Sequence, residues 1–398
     1  MGLTPNERFL VFRRRQILMG FGLAVVVWLA AVVATHRHES ARQNLPEKLS
    51  DAEFWNLITE FSEPGGYFRS DNFVSNESAF QRVIPALKRR IQPGGVYLGV
   101  GPDQNFTYVA AFGPKLAFII DIRRQNMLLH LMYKALFELS SNRTEFLSRL
   151  FSRRIPAGLP KTITIDELFE IFGKVASAAE LAKENLDAIL QQLRERHHFD
   201  LSENDSKSIE FVYNAFVSGG PEIRYSFPNQ YPWRRFPSYS ELMLETDGTT
   251  ENGGDNHSYM ASEENFQSVK SMQSENRIIP IVGDFAGDKA LRSVGRYVRE
   301  HGATVSTFYT SNVEFYLFQT EDWRKFFNTV SDLPVHSDSV FIRSYFNNYG
   351  MQQFSNPPAW LYSSPPSYTL LDSMPALVTA FATGRIHNYF DVIRRSAP

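Results

Sequence analysis

Cysteine is absent from all 398 residues. That excludes disulfides, thiolate metal ligands, cysteine nucleophiles and a lipid anchor carried on cysteine. An excess of one charge is also lacking: 41 Lys and Arg face 43 Asp and Glu, for a formal net charge of -2. No electrostatic footprint for nucleic acid results, so no nucleic-acid partner is expected. Neither a Gly-x-Ser-x-Gly elbow nor a His-Glu-x-x-His pair occurs, which removes the usual marks of α/β-hydrolases and zinc peptidases. The polar run Asp247 to Asn256 lacks the acid spacing of an EF-hand, so it reads as a solvated loop. His197 and His198 end a helical stripe without other ligand types nearby. They read as exposed, and no metal is expected.

What is present is a chain 43% hydrophobic and 14% aromatic, enough to bury a large core. Residues 17–34 are uncharged and strongly apolar throughout, and they follow directly after Arg13, Arg14 and Arg15. That pattern predicts a single-pass transmembrane anchor, with residues 1–16 in the cytoplasm and the rest extracytoplasmic. A cleaved signal peptide is the alternative, with Val32 and Ala34 as its small residues. The reverse orientation is the other alternative, because Arg37, Arg42 and Lys48 compete from the far flank. Residues 35–50 are polar without an apolar period and read as a tether, and the folded domain is expected over 51–398.

The most informative stretch is Val96-Tyr97-Leu98-Gly99-Val100, a turn Gly101-Pro102-Asp103-Gln104-Asn105, and a second apolar run Leu116 to Ile120 closed by Asp121. A glycine turn at a strand end, with an acid about twenty residues on, is how an α/β sheet holds a nucleotide. Arg124 to Leu139 then follows at helical spacing, giving a βαβα run and predicting a parallel sheet. A helix is predicted for Asp51 to Phe61 and another for Glu77 to Arg90, capped by Ser75 or Asn76. The segment Tyr67 to Glu77 between them is rich in side chains that bind polar ligands. Residues 140–275 break the alternation and read as a largely helical insertion, with a capping box at Thr164 to Glu167. The aromatic cluster Tyr225, Phe227, Tyr231, Trp233 and Phe236 reads as a lid or packed loop. Strands resume at Ile278 to Val282, Thr304 to Tyr309 and Ser339 to Phe346, and a C-terminal helix is expected over Leu377 to Arg394. Side chains at the carboxyl ends of such strands nominate Gly101, Asp103, Asp121, Asp284 and Asn312.

The segments Val-Tyr-Leu-Gly-Val-Gly-Pro-Asp (96–103), Phe-Ile-Ile-Asp-Ile-Arg (118–123) and Ile-Val-Gly-Asp-Phe (281–285) resemble the ligand-side turns of class I S-adenosylmethionine-dependent methyltransferases. They are similar, more closely, to an uncharacterised bacterial group related to that fold in which Gly-Val-Gly-Pro-Asp-Gln-Asn-Phe and Asp-Ile-Arg-Arg recur. The resemblance spans roughly residues 60–350. It implies a Rossmann-like, mostly parallel α/β sheet binding S-adenosylmethionine. Gly99, Gly101 and Asp103 would lie along the turn under the methionine end, Asp121 on the ribose and Asp284 at the adenine. Two departures stand out: Tyr97 replaces the acid usual inside the first strand, and Asp103 replaces the third small residue of the turn. No Asn-Pro-Pro-Tyr motif follows Ser311 and Asn312.

Several functions fit these residues. A membrane-anchored methyltransferase would hold the acceptor with Asn312, Tyr67 and Asp71 and use Asp103 as a candidate base, with in-line attack governed by positioning. A nicotinamide dehydrogenase is disfavoured because Gln104 stands where the third glycine belongs. A non-catalytic module would keep the fold and bind a small molecule or a cell-envelope partner.

Overall fold

The apolar runs between the turns pair side by side, and they are buried on both faces as central parallel strands must be. The computed structural model describes residues 44–160, 162–226, 235–250, 253–346 and 367–397. The expected anchor at 17–34 lies outside them. Among the described residues no helix is long and apolar enough to cross a membrane.

Six strands form one sheet: β1 (Val96–Gly99), β2 (Leu116–Asp121), β3 (Ile278–Val282), β4 (Val305–Ser311), β5 (Val335–Phe346) and β6 (Ser367–Ser373). Their order is β3-β2-β1-β4-β5-β6. β1 to β5 are parallel, and β6 runs antiparallel to β5. The protein is thus a mixed α/β chain on a mostly parallel sheet. The chain leaves β1 towards β2 on one side and returns to pair β4 on the other. This places a topological switch point between β1 and β4, where open sheets of this kind bind ligands.

Both sheet edges are closed by local chemistry. On β3, Gly283 N–H bonds inward to Asp121 O at 2.9 Å. Val282 faces outward, its N–H taken by Ser62 Oγ at 3.0 Å and its carbonyl by Glu63 N at 2.8 Å. Alternation puts Pro280, which has no N–H, on that same outward side. On β6, Leu371 exchanges backbone bonds with Ala397 at 2.6 and 3.0 Å.

Several elements differ from expectation. The packed unit begins at Leu45 rather than Asp51, because Leu45 and Leu49 are buried in the core. The helix expected over Glu77 to Arg90 is confined to a 3-10 turn Phe80–Val83 and an α-helix Ile84–Arg90. Ala79 before it takes a left-handed φ of 64, and Pro85, which has no N–H to bond back towards Gln81, fits only in the first turn of the helix Ile84–Arg90. Glu77 is therefore a loop residue. The C-terminal helix is two helices, Met374–Ala382 and Tyr389–Arg395, separated at Gly384, whose φ is 67. The helices Asp51–Phe61 and Arg124–Leu139 and the Thr164 capping box lie as expected.

The insertion is helical and fastened by buried cations. The Arg143 guanidinium donates to the carbonyls of Met260 (2.9 Å), Ala261 (3.0 Å) and Ile163. Lys134 Nζ, equally buried, donates to Glu138 (2.7 Å) and to the Gln273 carbonyl (2.6 Å). His197, expected to be exposed, packs with Nε2 2.6 Å from Glu138, while His198 is exposed. Asp247, expected in a solvated loop, is buried and accepts from Thr249 N (2.9 Å) and Thr249 Oγ1 (2.7 Å), with His257 Nε2 at 2.9 Å.

The turn after β1 is held from inside. Asn105 Nδ2 donates to the carbonyls of Val100 (2.9 Å), Gly101 (3.3 Å) and Pro102 (2.7 Å), and Asn105 Oδ1 accepts from Tyr97 OH at 2.8 Å. This side chain lies where a residue other than glycine at position 99 would place its Cβ, 2.0 Å from Asn105 Oδ1 and 2.8 Å from Tyr97 Cε1. Gly99→Ala is expected to destabilise the fold by about 1–3 kcal/mol through overpacking, measured by urea denaturation. A change within about 0.5 kcal/mol would show that the turn relaxes freely.

Candidate functional site

Strand ends β1 to β4 and the loop 67–77 enclose a cavity of about 380 Å³, within the range of small-ligand sites. Of the residues nominated from sequence, Gly101, Asp121, Asp284, Asn312 and Tyr67 line it. Gly99, Asp103 and Asp71 are not among its lining residues. Gly99 is filled behind by Asn105, and Asp71 is exposed, its carbonyl accepting from Arg123. Tyr67 is 84% exposed and stands at the rim.

Asp121 ends β2 and is buried, but not alone. Arg123 holds it with three donors: backbone N (2.9 Å) and Nε (3.0 Å) to Oδ1, and Nη2 (2.8 Å) to Oδ2. The same guanidinium reaches the carbonyls of Ser70 (3.2 Å) and Asp71, so the ion pair also ties the loop 67–77 to the sheet. A carboxylate has about four acceptor positions, which leaves one on Oδ2.

Asp284 follows β3. Its Oδ1 accepts from Ala286 N at 2.9 Å, and among the described residues its Oδ2 takes no hydrogen bond. The loop that carries it is cradled by Glu63, whose carboxylate accepts from the backbone N–H of Asp284 (3.0 Å), Lys289 (2.8 Å) and Ala290 (2.8 Å). Glu63 thereby takes the N–H of Lys289, the N-cap, and of Ala290, the first residue of the helix Ala290–Glu300. Ile120, Ile122 and Phe285 give this side of the cavity its apolar walls.

Across the switch point lies a residue that sequence reasoning left in a helix. Glu77 lines the cavity with only 2% of its surface exposed. Its Oε2 accepts from Tyr309 OH (2.7 Å), Gln104 Nε2 (3.2 Å) and Ser344 Oγ, and its Oε1 accepts from Ser311 Oγ. Burial pushes this carboxyl above the usual range, and the four donors pull it back. Ser311 Oγ also sits 3.2 Å from Asn312 Oδ1. Beneath this end, Arg343 is fully buried between Glu314 and Asp372, an ion triad that locks β5, β6 and the segment after β4 together.

The turn itself shows little polarity to the cavity. Its carbonyls face Asn105, and the Gly101 carbonyl also accepts from His130 Nε2 at 2.9 Å. Burial pushes His130 down to about 4, so the ring is neutral, with its proton on Nε2.

Asp103 faces the insertion, where its Oδ2 accepts from Tyr259 OH at 2.9 Å. Burial pushes it up to about 7, against the lowering effect of that hydroxyl. The folded-state value lies above the ordinary 3.8. Stabilisation by the bound proton is therefore present in acid and lost as pH rises towards about 7. Asp103→Asn, which cannot ionise, is expected to gain on the wild type by on the order of 2 kcal/mol between about pH 5 and about pH 8. Urea midpoints at the two pH values measure this, and a pH-independent difference would remove Asp103 as the titrating group.

The chain matches a family described as a domain of unknown function, DUF7790, over residues 72–158 and 176–374. No curated protein matches it. The matched residues run from the loop that covers the glycine turn, through both ends of the cavity, to the close of β6. On that match, the chain belongs to the DUF7790 family.

Proposed function

We propose that the cavity binds S-adenosylmethionine and that the protein is a methyltransferase acting on an acceptor that enters beside β4. One observation carries this reading: Gly101, Asp121, Asp284 and Asn312, from the ends of four strands, converge on a single cavity at the switch point. The nucleoside half of the ligand suits the residues present. Asp121 keeps an acceptor position for a ribose hydroxyl, Asp284 Oδ2 would take the adenine amino group, and Ile120, Ile122 and Phe285 offer apolar walls to a base. The methionine half is less well served, since Tyr97 and Asp103 lie outside the lining and the turn carbonyls are occupied by Asn105 and His130.

When bound, the cofactor supplies an electrophilic methyl group on sulfonium. The chain's task is to orient a nucleophile and to exclude water, and effective-molarity effects make positioning alone a large contribution. Asn312 and Tyr67 line the cavity and would do this. A membrane anchor at residues 17–34 belongs to the proposal.

A second reading rests on the arginines at 13–15, which favour placing the folded part outside the cytoplasm, away from where this cofactor is made. There the protein would be a non-catalytic interaction module of the cell envelope. A C-terminal alkaline phosphatase fusion separates the two: the enzyme predicts an inactive fusion and the module an active one.

For the pocket itself, calorimetry on the full chain is expected to give heat with S-adenosylmethionine and with S-adenosylhomocysteine. Asp121→Ala should weaken both by about tenfold or more. Absence of heat with either ligand removes the reading.

A further inference from the structure

We infer that the β4–β5 end of the cavity is a subsite for a positively charged ligand nitrogen, an alkylammonium group, with Glu77 as its counter-charge and Gln104 as a second acceptor. This subsite lies across the switch point from Asp121 and Asp284. It stands whether or not a nucleoside binds there.

Charge is the first ground. Asp121 has Arg123, and Glu314 and Asp372 have Arg343, but no Lys, Arg or His among the described residues pairs with Glu77. Its donors are neutral: two serine hydroxyls, a tyrosine hydroxyl and a carboxamide. Four donors aimed at one carboxyl suit the ionised form, which only accepts, since a protonated carboxyl would bring a hydrogen of its own into the same space. A buried carboxylate without an opposite charge costs several kcal/mol. A cation arriving through the cavity removes that cost.

The second ground is independent. Gln104 is buried and lines the cavity, and its Oε1 has no hydrogen-bond partner. Its amide orientation is fixed by chemistry, because the neighbouring carboxylate can only accept and so must face Nε2. Oε2 of Glu77 already takes three donors and Oε1 only one. The subsite therefore offers two acceptors with positions open, Glu77 Oε1 and Gln104 Oε1. An ammonium brings three donors and a positive charge, which answers both deficits. An alcohol brings one donor and no charge.

The test is calorimetry on the full chain near neutral pH with propylammonium chloride, 1-propanol and potassium chloride. Propylammonium is expected to bind at least about tenfold more tightly than propanol. Glu77→Gln should abolish the preference. It should keep its circular dichroism and melting temperature, since the three hydroxyls can rotate to accept from the new amide. Equal binding of amine and alcohol, an unchanged preference in Glu77→Gln, or potassium matching the amine would each overturn the inference. Should the variant not fold, Gln104→Leu supplies the second test, and an amine affinity unchanged there overturns the inference instead. A separate titration with adenosine, which carries no ammonium group, reports on the nucleoside reading alone: heat there without amine preference sinks only this subsite, and the converse sinks only that reading.

Discussion

The carboxamide of Asn105 fixes the geometry on which the rest of the site depends. Three successive carbonyls at a strand end must find donors, and one side chain reaches all three from below, joined at Gly101 by His130. Tyr97 completes the arrangement by donating to the amide oxygen, and the missing side chain of Gly99 makes room for it. The turn is thereby rigid and saturated. It gives the cavity shape but few free polar groups, so recognition must come from residues delivered by other elements.

Those residues arrive in two sets of opposite character. On the β2–β3 side the charges are compensated within the protein: Arg123 neutralises Asp121 and also draws the loop 67–77 inward, while Glu63 organises the Asp284 loop through backbone donors. On the β4–β5 side Glu77 is solvated by hydroxyls and an amide but left without a cation. Hydrogen bonds to a charged group contribute about 1.5–3 kcal/mol each, which makes an ionised Glu77 tolerable but does not replace a counter-ion. The cavity is thus asymmetric in charge although it is continuous in space.

What could be read from the sequence follows from range. β1, β2 and β3 and the acids after them were legible because strand, turn and acid lie within a few residues of one another and the apolar runs are short and sharply bounded. Tyr97 was legible only as a missing acid, since its role depends on Asn105 folding back beneath the strand. Glu77 was illegible in principle: its partners stand 27, 232, 234 and 267 residues away, and local spacing made it the start of a helix. The left-handed Ala79 and the proline at 85 take it out of that helix. β6 escaped notice because Ser367-Tyr368-Thr369 begins it with polar residues, and an antiparallel strand needs no helix ahead of it to announce it.

The two closed edges of the sheet govern how copies of this protein can meet. With Pro280 lacking a donor and Val282 already engaged on one border, and Leu371 bonded to Ala397 on the other, both margins are interrupted among the described residues. Strand addition, the route by which exposed margins recruit partners or seed aggregation, is therefore hindered at Pro280, Val282 and Leu371. Helix faces and loops, through side-chain complementarity, offer self-association a route that meets no such obstacle.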